Sequence, residues 1–181
     1  NPVHLYAQAG VYNVTLTVTD INGCIGDTTI IVTVDTLPIA NFSHTLNGCH
    51  GDSTYFTDLS TGTSGTIIAW DWDFGDNNTS TTQNPVHLYA NYGSYNVTLT
   101  VTDDNGCTHD TIITVIVRPN PIANFSATTI CEGDTTSFTD SSTIITPLGG
   151  VITSWFWDFG DNNTSTQQNP THQYAQAGVY N

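Results

Sequence analysis

The chain of 181 residues carries 16 acidic side chains against one basic one, a formal net charge of −15. With Arg118 as the single lysine or arginine, phosphate neutralisation on nucleic acid and docking on anionic membranes are excluded, as are Walker-type phosphate loops and Schiff-base chemistry. No apolar run is long enough to span a bilayer, and the many aromatic and β-branched residues do not fit intrinsic disorder.

In chain order, the first element is NPVHLYAQAGVYNVTLTVTD from Asn1. Val14, Leu16 and Val18 alternate there with threonines, which predicts a half-buried strand. Asn22-Gly23 marks a turn, and the β-branched run from Thr29 predicts the returning strand. PIANFS follows at Pro38, then a strand signal, STYFTDLS, from Ser53. Trp70, Trp72 and Phe74 alternate with Asp71 and Asp73, so the three rings share one face of a strand. Gly75-Asp76-Asn77 ends that strand in a turn. At Asn84 the opening segment returns as NPVHLYANYGSYNVTLTVTD, again followed by an Asn-Gly turn at Asn105 and a β-branched run from Thr111. PIANFS recurs at Pro121, a TTSFTDSS strand signal follows from Thr135, and DFGDNNTST recurs at Asp158. There Trp155, Trp157 and Phe159 take the ring positions. NPTHQYAQAGVYN runs from Asn169, an offset of 85 residues from the second copy, where the first offset is 83. Three extra residues between Ser142 and Trp155, less one between Ser126 and Cys131, account for the change of two, and loops absorb them at little cost.

Repeats of this length with no helical period predict an all-β chain of tandem sandwiches. The boundaries read as 1–36, the later part of one repeat; 37–119, a whole repeat; and 120–181, the earlier part of a third. The expected core is Trp72, Phe74 and Tyr95, matched by Trp157, Phe159 and Tyr180. Each buried ring contributes roughly 1.5–3 kcal/mol. Tyr12, Tyr95 and Tyr180 follow a glycine by two residues and fit a tyrosine corner, where the phenol bonds back to nearby backbone. The chain reads as a stretch of a longer array.

Trp-Asp-Phe-Gly-Asp at Trp72, Asn-Pro-Val-His-Leu-Tyr at Asn84 and Gly-Ser-Tyr-Asn-Val-Thr-Leu-Thr-Val at Gly93 together resemble the PKD (polycystic kidney disease) domain. The likeness covers essentially the whole chain and implies tandem immunoglobulin-like β-sandwich repeats. It departs at Asn77 and Asn162, where the family usually has glycine. Asparagine also tolerates a left-handed turn, so the fold is not put in doubt. The resemblance implies an extracellular, non-catalytic module, found as a spacer in secreted hydrolases and as arrays in microbial surface proteins. The cysteine-bearing variant is similar to repeats in large surface proteins of Bacteroidetes-type bacteria.

The carboxylates recur once per repeat in a sandwich with no obvious cleft, so no catalytic pair is assigned. Acidic, oxygen-rich loops suit calcium, and Asp52, Asp76, Asp103 and Asp104 are the candidate ligands. The competing reading is turn capping and solubility. His4, His87 and His172 hold one repeat position, two residues before a tyrosine, and are expected to be hydrogen-bonded structural histidines. Zinc would need a cluster of ligands. The four cysteines fall into an early position (Cys49, Cys131) and a late one (Cys24, Cys107). A disulfide within the repeat would join Cys49 to Cys107. Strand direction puts those loops at opposite ends, roughly 25 Å apart for strands of about eight residues, whereas a disulfide needs Cα atoms within about 7 Å. The alternative joins the early cysteine of one repeat to the late cysteine of the next. Both pairings, and free thiols, stay open. A motif resembling that for O-linked glycans in those bacteria marks Thr28, Thr36, Ser53, Thr111 and Thr135.

The linkers Val34–Pro38 and Val117–Pro121 are short and stiffened by proline, so the repeats are expected to form a semi-rigid rod. The functional reading is a non-catalytic repeat of an extracellular microbial surface filament or adhesin, whose partners are neighbouring copies of the same repeat and glycans. The alternative is a spacer or carbohydrate-binding module inside a secreted hydrolase. No cofactor is required beyond the calcium considered above.

Overall fold

The computed structural model describes residues 1–45 and 48–181. Every regular element among them is a strand, as the period-two pattern predicts. No helix among the described residues is long and apolar enough to cross a membrane.

The first repeat contributes one antiparallel hairpin, β1 (Gly10–Thr19) and β2 (Ile25–Val34). Its register runs unbroken from Gly10↔Val34 to Thr19↔Ile25. The turn is set by Asp20, whose carboxylate accepts from the backbone N–H of Asn22 (2.9 Å) and Cys24 (2.8 Å). Gly23 takes φ 83° there, a left-handed conformation that costs a residue with a Cβ.

The middle repeat is a two-sheet sandwich. One sheet has the order β3 (Phe42–His44), β4 (Thr54–Asp58), β7 (Val86–His87). The other has the order β6 (Thr79–Ser80), β5 (Ile67–Asp73), β8 (Gly93–Asp103), β9 (Thr108–Val117). Seven short strands are what the repeat length and turn spacing predict. Trp72 joins the layers, lying 5.0 Å from Phe42 and 5.4 Å from Phe56 between ring centroids. Its indole N–H donates to the Thr82 carbonyl at 2.9 Å, so the ring is buried without an orphaned donor. Val97, Leu99 and Val101 of β8 are completely buried beside these rings, with Val115 of β9.

The third repeat rebuilds the same plan with β10 (Phe125–Ala127), β11 (Thr136–Asp140) and β14 (Thr171–His172) in one sheet. The short pair β12 (Trp157–Asp158) and β13 (Thr164–Ser165) makes the other. Phe125, Phe138, Trp157 and Phe159 repeat the ring packing, with Phe125–Trp157 at 5.1 Å and Phe138–Phe159 at 5.2 Å. Phe125 is nevertheless 57% exposed where Phe42 is 3% exposed. Among the described residues, no strand of this repeat corresponds to β8 or β9.

Of the residues expected in the core, Trp72, Phe74 and Phe159 are buried. Tyr95, Trp157 and Tyr180 are half-buried. Asn77 and Asn162 adopt φ 72° and 69°, so asparagine does hold the left-handed turn for which the family usually has glycine.

Candidate functional site

Two kinds of polar cluster recur in this chain. The first caps a strand end. The Gly75–Asn78 turn after β5 points Asp76 back toward β7, and His87 Nε2 meets Asp76 Oδ2 at 2.8 Å. The imidazole lies flat on Phe74, with ring centroids 4.2 Å apart and planes 4° from parallel. Burial raises the Asp76 pKa, but hydrogen bonds from His87 and Asn78 outweigh it and hold the carboxyl below its ordinary range. The third repeat duplicates the arrangement: His172 Nε2 meets Asp161 Oδ2 at 2.7 Å and stacks on Phe159 at 4.3 Å. Tyr174 packs edge-on to His172 and stacks on Tyr180 at 4.0 Å. The Tyr180 hydroxyl donates to the Gln176 carbonyl at 2.8 Å, and Tyr12 does the same to Gln8 at 2.7 Å. These are the predicted tyrosine corners.

A second carboxylate is held as tightly. Asp58 Oδ2 accepts from the indole N–H of Trp70 at 2.7 Å and from Gln83 at 3.0 Å. Asp140 takes the same contacts from Trp155 (2.9 Å) and Gln168 (3.2 Å). Hydrogen bonds from Ser142 above all lower the Asp140 pKa to about 2. Several donors thus hold each of these carboxylates in its ionised form.

The second cluster sits at the joints between repeats. At the first joint, the Thr36 N–H donates to Ser64 Oγ at 2.8 Å, and the Thr36 hydroxyl donates to Thr63 Oγ1 at 2.6 Å. The adjoining loop is bound in turn to the β8–β9 turn, because the Thr66 N–H donates to Asp104 Oδ1 at 2.8 Å. A Cβ on Gly65 would lie 2.4 Å from Asp104 Oδ1 and 2.9 Å from Asp103 Oδ2, so a side chain there would have to displace these carboxylates. Asp103 is completely buried. Its Oδ1 accepts from the N–H of Asn105 and Cys107, while Oδ2 has no partner among the described residues. At the second joint, Arg118 pairs with Cys49 as a parallel bridge. Its guanidinium donates to the Leu148 carbonyl at 3.0 Å, and the Asn120 amide donates to the His50 carbonyl at 2.9 Å.

The candidate calcium ligands are placed as follows. Asp76 is bonded to His87. Asp103 caps the β8–β9 turn, Asp104 accepts from the Thr66 N–H, and Asp52 accepts from the Cys49 N–H at 3.1 Å. Among the described residues no three His, Cys, Asp or Glu side chains assemble into a metal-holding group. All four cysteines carry free thiols in this structure. Burial, with the Asp103 and Asp35 carboxylates nearby, raises the Cys107 thiol pKa. Thr28, Ser53 and Thr135 are exposed and Thr111 is half-buried, whereas the Thr36 hydroxyl is engaged at the first joint. The His–Asp pairs, the Trp–Asp pairs and the threonine-serine joint are the features that sequence reasoning missed. For the first, the recurring Asp-Asn-Asn turn eleven residues before each histidine is the signal that marks it.

The PKD domain family matches over residues 1–34, 35–117 and 118–181. The chain belongs to the PKD domain family. A microbial collagenase of Vibrio alginolyticus is 42% identical over 64 residues, which is 35% of this chain and 8% of that protein. The pre-pro-metalloprotease PrtV of Vibrio cholerae is 36% identical over 115 residues, 62% of this chain and 12% of that protein. Among solved structures, the PKD1 domain of PrtV is 38% identical with a TM-score of 0.42, covering 45% of this chain and 98% of that one. The chain thus spans only a small part of its curated relatives, all of it PKD repeat. These relatives come from Vibrio rather than from the Bacteroidetes-type bacteria of the sequence resemblance.

Proposed function

We propose that this PKD array is a non-catalytic spacer of an extracellular protein, holding what lies on either side of it at a set separation. The observation that carries this reading is the bonding of each linker to the repeat that follows. Thr36 is tied to Thr63 and Ser64, and Arg118 to Leu148. A linker anchored in this way has lost most of the freedom of a flexible chain. Asp76 is bonded to His87 and Asp161 to His172, and the relatives are collagenases and a metalloprotease by name. Small-angle scattering of the chain, with and without Thr36→Ala and Ser64→Ala, tests the reading. An extended form that becomes more variable in the double variant supports it. Equal flexibility in both overturns it, as does location of the array inside the producing cell by immunogold labelling.

A second reading is that such repeats form a surface filament or adhesin. It draws on the near-identity of residues 1–13 and 169–181, which differ at Val3/Thr171 and Leu5/Gln173. Exposed Thr28, Ser53 and Thr135 are then the positions proposed for O-linked glycans. An intact mass of native material equal to the bare polypeptide removes that proposal.

A further inference from the structure

The middle and third repeats build the same three-stranded sheet and differ on its outer face. The register is shared: Thr54↔His87 and Tyr55↔Val86 in one, Thr136↔His172 and Ser137↔Thr171 in the other. The inward side chains also match, since Thr54 and Phe56 are buried and so are Thr136 and Phe138. The outward ones do not. Tyr55, Val86 and Leu88 stand where the third repeat has Ser137, Thr171 and Gln173. These three apolar side chains are 56%, 55% and 56% exposed. In the third repeat Ser137, Thr171 and Gln173 are exposed as well, and the Gln173 amide donates to the Gly133 carbonyl at 2.5 Å. The sheet therefore folds equally with a polar outer face, and the apolar trio of the middle repeat does not serve the core. Val86 lies directly across from Tyr55, and Leu88, two residues on, lies diagonally from it on the same face.

We propose that Tyr55, Val86 and Leu88 form a platform for a neutral saccharide chain, which lays the C–H face of a sugar ring on the Tyr55 ring and the two aliphatic side chains. An exposed apolar patch with a polar border marks an interaction surface. The border here is made of hydroxyls: Ser43 and Thr57 are exposed and pair across β3 and β4 on the same face. Charge and size select the occupant. Neither the platform nor this border holds a charged side chain. The chain as a whole carries −15 with a single lysine or arginine, so an anionic polymer is repelled. Three half-exposed side chains fall well short of the roughly 800 Å² per partner that a stable protein interface uses, which disfavours a second copy. The edge strand β7 has two residues, too few to template an added peptide strand. An uncharged sugar needs what is present, an apolar surface with a few hydroxyls at its margin. One such platform binds weakly, with a Kd on the order of 1 mM, and tandem platforms gain by avidity. The platform adds a contact to the spacer and does not rest on the spacer reading.

The test follows the backbone amides of the intact ¹⁵N-labelled chain by NMR. Cellohexaose, laminarihexaose, maltohexaose, mannohexaose and chitohexaose are added in turn at about 5 mM, several times the expected Kd. The expected result is that at least one of them shifts the amides of Tyr55, Val86 and Leu88 and leaves those of Ser137, Thr171 and Gln173 in place. The third repeat supplies variants that suit the fold, because its own residues hold the same register. Tyr55→Ser weakens binding about tenfold, and Tyr55→Ser with Val86→Thr and Leu88→Gln removes it, with the thermal unfolding midpoint unchanged. No shift with any of the five sugars overturns the proposal, as does equal shifting of the third repeat's counterparts. Binding that survives the triple variant also overturns it. So do shifts of the Tyr55, Val86 and Leu88 amides that grow with protein concentration in the absence of sugar, which would seat a second copy on the face. None of these failures bears on the spacer reading, whose test is extension and location.

Discussion

The β1–β2 and β8–β9 hairpins carry nearly the same sequence, the same register logic and the same Asp-capped turn, yet their environments are opposite. Val97, Leu99 and Val101 are completely buried, while their counterparts Val14, Leu16 and Val18 stand in solvent. The alternation of apolar and threonine residues therefore specifies a strand with one face suited to burial. It does not specify what covers that face. The covering surface is the ring cluster of the same repeat, and among the described residues both halves are present in the middle repeat. The third repeat teaches the converse. Its rings pack in the same geometry without the hairpin, so the arrangement of the aromatic half of the core does not depend on it.

Substitutions at counterpart positions test this contrast most strongly. Leu99→Ala should cost about 2–5 kcal/mol by chemical denaturation followed through Trp72 fluorescence, and Leu16→Ala no more than about 0.5 kcal/mol in dilute solution. Comparable losses at the two positions would break the comparison. Next in size is Gly75→Ala. Its φ of 76° and the 2.6 Å approach of its would-be Cβ to the Asn96 carbonyl predict a loss of about 2–3 kcal/mol. Trp70→Phe removes one donor from Asp58 and should cost about 1 kcal/mol, because Ser60 and Gln83 still satisfy the carboxylate.

The smallest effect is on pH. Asp140 is lowered to about 2, by hydrogen bonds from Ser142 first. Asp58 is also lowered, although burial pushes it the other way, because the donors from Ser60, Gln83 and Trp70 prevail. A carboxyl with a folded pKa below its unfolded value near 3.9 contributes stability that is complete above that value. The contribution is lost as pH falls through the folded pKa. The melting temperature should hold between pH 5 and 7 and fall from about pH 4 toward 2. A rise on acidification would contradict the assignment.

Much of this fold was legible because strand alternation and turn chemistry are local. The Val/Thr pattern and the Asn-Gly turns located the hairpins, and the ring alternation located Trp72 and Phe74 in the core. What escaped is long-range polar pairing. His87 was expected to be hydrogen-bonded, but its partner Asp76 lies eleven residues away across a turn. Asp103 read as a calcium ligand or a turn cap, and it caps the turn while being completely buried against Gly65. Burial of that carboxylate depends on the loop that the linker holds, which no window of sequence around Asp103 contains.

The account rests on the same hairpin being core in one repeat and uncovered in another. Hydrogen exchange of the intact chain, in solution dilute enough to keep copies apart, measures this most directly. Isolated two-stranded hairpins are marginal in water, so amides of β1 and β2 should exchange through local opening. Those of Val97–Val101 should exchange only with global unfolding. Equal protection of Val14–Val18 and Val97–Val101 at that dilution would contradict the account.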